Sequence, residues 1–294
     1  MIDLIVTVGP PASAKSTWAK KISEREGYAW VSSDNIRANH GYNISNDAVF
    51  KEMYDITKAN LKAGTSVIYD ATNISSKRRK HLIDSLKSSD INDIVLFRCE
   101  VFMVPIDILK ERNSHREGVD CVPEYVIDRM IKNFQFPQYF EGWDYININS
   151  NSIPLVHDIN MMKGYSQDNP HHSLDLYEHS RAVVERARKL NLPITIGEAG
   201  WYHDIGKPFC REMGKDGWAH YCGHENASAY MYALTFIDTH YHVTPEFLLA
   251  EFIINYHMRP YNWTEKSYKK DEELFGTQYI HALKLFHKCD LTGH

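Results

Sequence analysis

The chain has 294 residues, 43% of them hydrophobic, and a formal net charge of −5. That is enough apolar material for two cores, and the acidic balance argues against a protein that coats nucleic acid non-specifically, which needs surplus Lys and Arg. Five cysteines without CxxC spacing argue against a disulfide framework or a zinc ribbon, and without an 18-residue apolar run or a leader-like start the expectation is a cytosolic protein that does not contact membranes.

The first elements alternate. Residues 4–8, 28–32, 66–69 and 93–102 are rich in Val, Ile, Tyr and Phe and read as strands, with helices at 16–26, 46–62 and 76–88 between them. Strand–helix alternation predicts an α/β fold, a parallel sheet with flanking helices. Gly27 and Gly64 stand where helices would end. Two short helices follow, near 105–112 and 123–134, and residues 136–160 lose periodicity, placing the domain connection near 145–168. From 172 onward the pattern reads as all-helical, with helices at 173–190, 194–204, 223–240, 245–258 and 276–291. The expected domains are therefore 1–150 and 165–294.

The first chemistry lies in Gly9-Pro10-Pro11-Ala12-Ser13-Ala14-Lys15-Ser16-Thr17, set between a strand and a helix. Such a loop aims backbone N–H groups at a phosphate chain; Gly9, Ser13 and Ala14 would line it, Lys15 would neutralise β/γ charge, Ser16 would bind Mg²⁺ and Thr17 would continue the helix. Ala14 stands where the pattern has glycine, and its Cβ is strained if that residue needs positive φ. After the second strand, Asp34 and Arg37 lie one helical turn apart, so a carboxylate able to take a hydroxyl proton and a phosphate-binding guanidinium face the acceptor together. The plain alternative is that Asp34 caps a helix at 35–39. Asp70, Thr72 and Asn73 end the third strand. Arg112 and Arg116, four apart, would share a helix face and clamp the transferring phosphate. Lys77-Arg78-Arg79-Lys80, with Arg112, Arg116 and Lys132, could form a basic track, or 77–80 could be a solvated helix face.

These elements, with Trp18 and Val122-Pro123, make residues 1–140 resemble the kinase domain of phage T4-type 5′-hydroxyl polynucleotide kinases. The resemblance implies ATP with Mg²⁺ as donor and an RNA or DNA 5′-OH end as acceptor. It makes Asp34 the general base and gives Lys15 and Ser16 to phosphate and Mg²⁺. Arg37 would hold the nucleic-acid phosphate, Arg112 and Arg116 the transferring group, and Asp70, Thr72, Asn73 and Arg78 the substrate. Asp70 sits one residue earlier than that family's carboxylate.

The second chemistry is a spread of His and Asp along the helical half: His179 mid-helix, His203-Asp204 at a helix end, His224 opening the next, His257 closing another and Asp290 near the end of the sequence. Helices that converge such side chains build metal sites. Other histidines, among them His81, His115 and His287, are expected to be packed and hydrogen-bonded. Residues 170–294 resemble HD-domain phosphohydrolases, which implies that His179, His203, Asp204 and Asp290 bind metal. His224 and His257 would add a second ion, chosen from Mn²⁺, Fe²⁺, Ni²⁺, Co²⁺ or Zn²⁺, and Lys207 would stabilise phosphate charge. Asn169-Pro170-His171-His172 also resembles the entry to HD domains of tRNA-processing enzymes, with His172 lining the pocket.

Together the two halves imply an end-healing enzyme that phosphorylates 5′-OH ends and removes 2′,3′-cyclic, 2′- or 3′-phosphates, with sealing left to a separate polynucleotide ligase. The alternative is a small-metabolite or nucleoside kinase fused to an HD nucleotide phosphohydrolase. A nucleic-acid-binding adaptor with degenerate sites is the third reading, opposed by intact Lys15, Asp34, His203 and Asp204.

Overall fold

The computed structural model describes residues 2–91, 95–150, 158–168, 174–237 and 243–293. Contacts divide them into two compact units: one holds 2–127 and 137–150, the other 128–136 and the residues from 158 onward.

The first unit is a five-stranded parallel sheet in the order β2-β3-β1-β4-β5. β1 (Ile2–Val8) is central and almost wholly buried, as a near-continuous apolar run requires when both sheet faces are covered. α1 (Lys15–Glu26) covers one face with Trp18, Ala19 and Ile22 against Ile5 and Ile68. Gly27, at φ 71°, ends it in the left-handed conformation that costs glycine nothing. β2 (Ala29–Ser32) leads into α2 (Ser33–Asn39).

α3 (Asn46–Lys62) buries Val49, Met53, Thr57 and Leu61, an i, i+4 stripe. Burying each of its aliphatic members contributes roughly 1.5–3 kcal/mol. β3 (Val67–Asp70), α4 (Ser76–Lys87), β4 (Val95–Met103) and α5 (Ile106–Ser114) follow, and α6 (Glu124–Ile131) begins in this unit and ends in the second.

β5 (Tyr145–Ser150) corrects the sequence reading, which left this stretch in the connection. Its Ile-Asn-Ile-Asn alternation has strand period, but asparagine is a loop residue by propensity. The Asn147 and Asn149 amides donate to the Glu100 carboxylate of β4 at 2.8 and 2.5 Å, a tertiary contact that propensity cannot report.

In the second unit, Phe134 and Phe136 are fully buried, edge-on to Tyr230 and Phe247, and Asn255 bonds the backbone of both. That short segment lies inside the span read as the first domain, yet its contacts are helical. The elements are α7 (Leu176–Lys189), α8 (Ile194–Tyr202), α9 (Lys207–Cys210), a hairpin of β6 (Glu212–Met213) and β7 (Ala219–His220), α10 (His224–Ile237), α11 (Pro245–Tyr256), α12 (Glu265–Phe275) and α13 (Thr277–Asp290). The hairpin, the one-turn α9 and α12 correct the expected five-helix pattern. The strands are two residues long, too short to show a period, and α12 carries mostly Lys and Glu on its exposed face. α11 is buried from Phe247 to Tyr256 except for the half-buried Leu249, polar Glu251 and Asn255 included, so it is the central helix.

Candidate functional site

In the first unit the loop after β1 leads directly into α1. Ala14 is the N-cap with no side-chain cap bond, and no acidic residue occupies the first turn, which leaves the helix N-terminal N–H groups directed at a ligand. Ala14 takes φ 71°, and Ala12 φ 64°, both in the left-handed region. Gly9 is fixed for a different reason: at φ 154° an added Cβ would lie 2.7 Å from the Phe102 carbonyl. Its N–H donates to the Thr72 carbonyl, tying the loop to the end of β3.

The Lys15 ammonium is buried and donates to the Pro10 carbonyl and the Ser13 hydroxyl at 2.7 and 3.2 Å. Burial pushes it down to about 8 against the opposing fields of Asp70 and Asp34, while Arg116 lowers it further. Four residues far apart in sequence therefore share one electrostatic site. Ser16 and Thr17 are exposed at the start of α1. This frame fits a nucleotide phosphate chain with Mg²⁺.

Asp34 does not cap the helix. Ser32 does, its hydroxyl accepting from the Asp34 and Asn35 N–H groups. The Asp34 carboxylate is 71% exposed and accepts from Arg37 at 3.0 Å, and Arg37 also donates to Asn46. Serine caps as well as aspartate, so the sequence could not assign the cap.

Asp70 is buried and accepts from the Thr7 hydroxyl and the Trp30 indole, both at 3.1 Å. Asn73, at φ 45°, spends its amide on the Thr7 carbonyl.

Two expectations need correction. Arg112 lies in the last turn of α5, but the helix ends at Ser114, so Arg116 stands beyond the His115 cap rather than on the same face. Its guanidinium donates to the Asp120 carbonyl. The fully buried Asn113, which sequence reasoning missed, fastens the same loop by bonding both backbone groups of Val122.

The basic track also fails at its centre. Arg79 is wholly buried, paired with Glu141 and donating to the Asn73 carbonyl, while Lys80 pairs with Asp84 and Lys132 with Glu212. Truncating one partner of a buried pair such as Arg79–Glu141 costs about 3–5 kcal/mol, so its role is to hold the strand end. Arg78 stays exposed over the Phe50 ring, and His81 and His115 are exposed rather than packed.

In the second unit all six expected ligands meet. His179 and His203 lie 3.4 and 3.3 Å from Asp204 Oδ2 and 3.2 and 3.4 Å from Asp290 Oδ1; His224 and His257 lie 3.2 and 3.8 Å from Asp204 Oδ1. Every one of these side chains is buried.

The imidazoles are oriented from behind. Nδ1 of His203, His224 and His257 meets the carbonyls of Gly200, Tyr221 and Ile254 at 2.8–3.0 Å, each three residues earlier. An Nδ1–H donor leaves the lone pair on Nε2. Yet Nε2 faces Nε2 at 3.1 Å in both His179–His203 and His224–His257. In His224–His257, where both Nδ1 atoms meet carbonyls, the facing Nε2 lone pairs need a cation between them. Burial works against charge on His203, but Asp204 and Asp290 hold it up at about 10, the same demand for positive charge. Burial with His203 and His224 drives His257 down to about 3, and Asp204 stays well below the carboxylate range despite burial, through His203 and Lys207. The donor set fits two divalent ions sharing Asp204.

Lys207 follows a turn in which Gly206 allows close approach, since a Cβ there would lie 2.6 Å from the Ser228 nitrogen. Its ammonium donates to Asp204 Oδ2 and to Gln167, both at 2.7 Å. Gln167 and Tyr261, which bonds Asp290 Oδ2 at 2.8 Å, were not found from sequence, where nothing distinguishes them. These six side chains and Lys207 line a cavity of about 880 Å³ together with Tyr221, Met258 and Tyr261. His172 lies outside the described residues.

Comparison with known proteins bears on the first unit. A family described as an AAA domain matches residues 4–137. L-seryl-tRNA(Sec) kinase of Methanococcus maripaludis is 29% identical over 150 residues, which cover 48% of this chain and 56% of that protein, so the chain spans just over half its relative's length. A crystal structure from Chloroflexus aurantiacus j-10-fl (16% identity, 54% of this chain and 91% of that one, TM-score 0.44) and a gluconokinase from Sinorhizobium meliloti 1021 (19%, 52% and 84%, TM-score 0.36) also match. No helix among the described residues is long and apolar enough to cross a membrane.

Proposed function

We propose that this chain, whose residues 4–137 form a kinase-like P-loop domain, is a bifunctional phosphate-transfer enzyme: an ATP-dependent kinase of a nucleoside or small-metabolite hydroxyl, joined to a metal-dependent phosphohydrolase. ATP with Mg²⁺ supplies the phosphoryl group and neutralises its charge. Asp34, exposed beside the loop, takes the acceptor hydroxyl proton, and Arg37 keeps its carboxylate oriented. Lys15 and Arg116 place positive charge where the transferring group passes, and Ser16 stands where the Mg²⁺ ligand of such loops stands.

The observation that carries the second activity is the pair of imidazole pairs, Nε2 to Nε2 at 3.1 Å, on either side of Asp204. Mn²⁺, Fe²⁺, Ni²⁺, Co²⁺ or Zn²⁺ suits this nitrogen-rich set, and such ions polarise a phosphate ester and supply hydroxide at neutral pH. His179, His203 and Asp290 would hold one ion, His224 and His257 the other, and Asp204 both. Lys207, at the cavity wall, adds charge for the phosphate.

A second reading places both activities on polynucleotide ends: kinase on a 5′-OH, hydrolase on 2′,3′-cyclic, 2′- or 3′-phosphates. It is favoured by opposite phosphate chemistries on one chain and by a relative named for a tRNA-borne acceptor. Incubation with ATP, Mg²⁺ or Mn²⁺, nucleosides, and RNA and DNA oligomers bearing 5′-OH and 2′,3′-cyclic phosphate ends separates the two. Transfer to free nucleosides supports the first reading, transfer to oligomer ends alone supports the second, and absence of any transfer refutes the kinase.

A further inference from the structure

The first unit holds a cavity of about 480 Å³ between α3 and α4, floored by Tyr69 and Asn73 at the end of β3. Its volume is that of a pocket for one small molecule. The walls combine aromatic faces with polar and charged groups. Phe50 and Tyr54 project from α3, and the Arg78 guanidinium lies 5.5 Å above the Phe50 ring. The Tyr54 hydroxyl donates to the Ser85 carbonyl, which fastens α3 to α4 behind the cavity. Burial drives the Tyr69 phenol upward, so it remains a neutral hydroxyl.

The cavity connects to the proposed base through a short chain of contacts. Asp34 accepts from Arg37, Arg37 donates to Asn46, and the next residue, Asp47, is in the cavity wall.

We propose that this cavity binds the acceptor through a planar nitrogen-heterocyclic ring, a nucleobase, held against Phe50 and Tyr54 with Arg78 as its cationic partner. The inference deepens the kinase reading and rests on it for the word acceptor. The Phe50 and Tyr54 faces with the Arg78 guanidinium match a flat π-system, and the polar lining groups Asp47, Lys51, Asn73 and His81 suit the hydrogen-bonding edges of such a ring. The base could belong to a free nucleoside or to the terminal residue of a strand, and the cavity chemistry is the same for both.

The test pairs kinetics with direct binding. Acceptors are adenosine and cytidine, ribose as a base-free control, and a 5′-OH oligonucleotide beside its counterpart with an abasic first residue. Phe50→Ala should raise the acceptor KM about 5- to 150-fold, the range for losing one base–aromatic stack. The kcat and the ATP KM should stay within twofold, and Phe50→Trp should restore the KM. Preference for free nucleosides or for the intact oligonucleotide identifies the source of the base. Equal KM values with and without a base, or no response to Phe50→Ala, would overturn the inference.

Saturation-transfer NMR of adenosine alone keeps the two proposals separable. Ring-proton signals present in the wild type and lost in folded Phe50→Ala support the pocket even if no phosphoryl transfer occurs, and their absence in the wild type overturns it.

Discussion

Replacing Ala14 by glycine tests the strain in the phosphate loop. Ala14 holds φ 71° and ψ 15° as the N-cap of α1, a left-handed conformation that costs a non-glycine residue about 1–2 kcal/mol. Glycine removes that cost but loses roughly 0.4–1 kcal/mol through its freer unfolded chain. The balance favours Ala14→Gly by about 1 kcal/mol, or about 3 °C for a unit of this size. Because the left-handed conformation belongs to the folded loop itself, the gain is expected in folding and not in ATP binding. Scanning calorimetry should show the kinase-unit transition rise by that amount, and the ATP KM should stay within twofold. A lowered transition would show that Ala14 makes a contact outweighing the strain, and an ATP KM raised many-fold would show that the Cβ itself orders the loop. Either result refutes the reasoning.

Lys15→Ala and Asp34→Ala should each lower phosphoryl transfer at least about 100-fold while leaving phosphate-ester hydrolysis intact, since the two sites lie in separate units; an active Asp34→Ala protein would remove the base assignment. Lys15 sits at about 8 in the folded protein against 10.5 in the unfolded chain, so folding releases a proton between those values, and stability rises with pH across that window. Polyphosphate beside the ammonium draws the proton back. Titration calorimetry of ATP near pH 9 in buffers of different ionisation enthalpy should therefore show proton uptake, with affinity falling as pH passes 8; equal heats in all buffers would contradict this. Tyr261→Phe removes the bond to Asp290 and should weaken metal binding beside His179 and His203 about 10- to 100-fold in chelator competition, whereas unchanged affinity would make that bond incidental.

Some of this architecture was legible from sequence because its signals are local. Apolar runs and helix stripes announced β1 to β4 and α3, and the loop at 9–17 announced its own turn from strand to helix. What was missed depends on partners distant in sequence. β5 looks like a loop until Glu100 receives its asparagines, and Arg79 looks like surface charge until Glu141, 62 residues away, is seen beside it. The Arg112–Arg116 spacing failed because helix length there is set by where Asn113 fastens the loop to Val122. His179, His203, His224, His257 and the two aspartates were readable as a set because each stands within or at the end of a helix aimed inward. Gln167 and Tyr261, which orient that set, carry no residue type or spacing that marks them.

The central claim is that two facing imidazole pairs share Asp204 as holders of metal. Elemental analysis of the purified protein before and after Asp204→Ala tests it most directly. A carboxylate can bridge ions about 3.5–4 Å apart and an imidazole offers each only one lone pair. The account therefore predicts two divalent ions per chain in the wild type, none in Asp204→Ala, and one in His257→Ala. Stoichiometric metal surviving Asp204→Ala, or a wild-type protein that binds none when offered Mn²⁺, Fe²⁺, Ni²⁺, Co²⁺ or Zn²⁺, would contradict it.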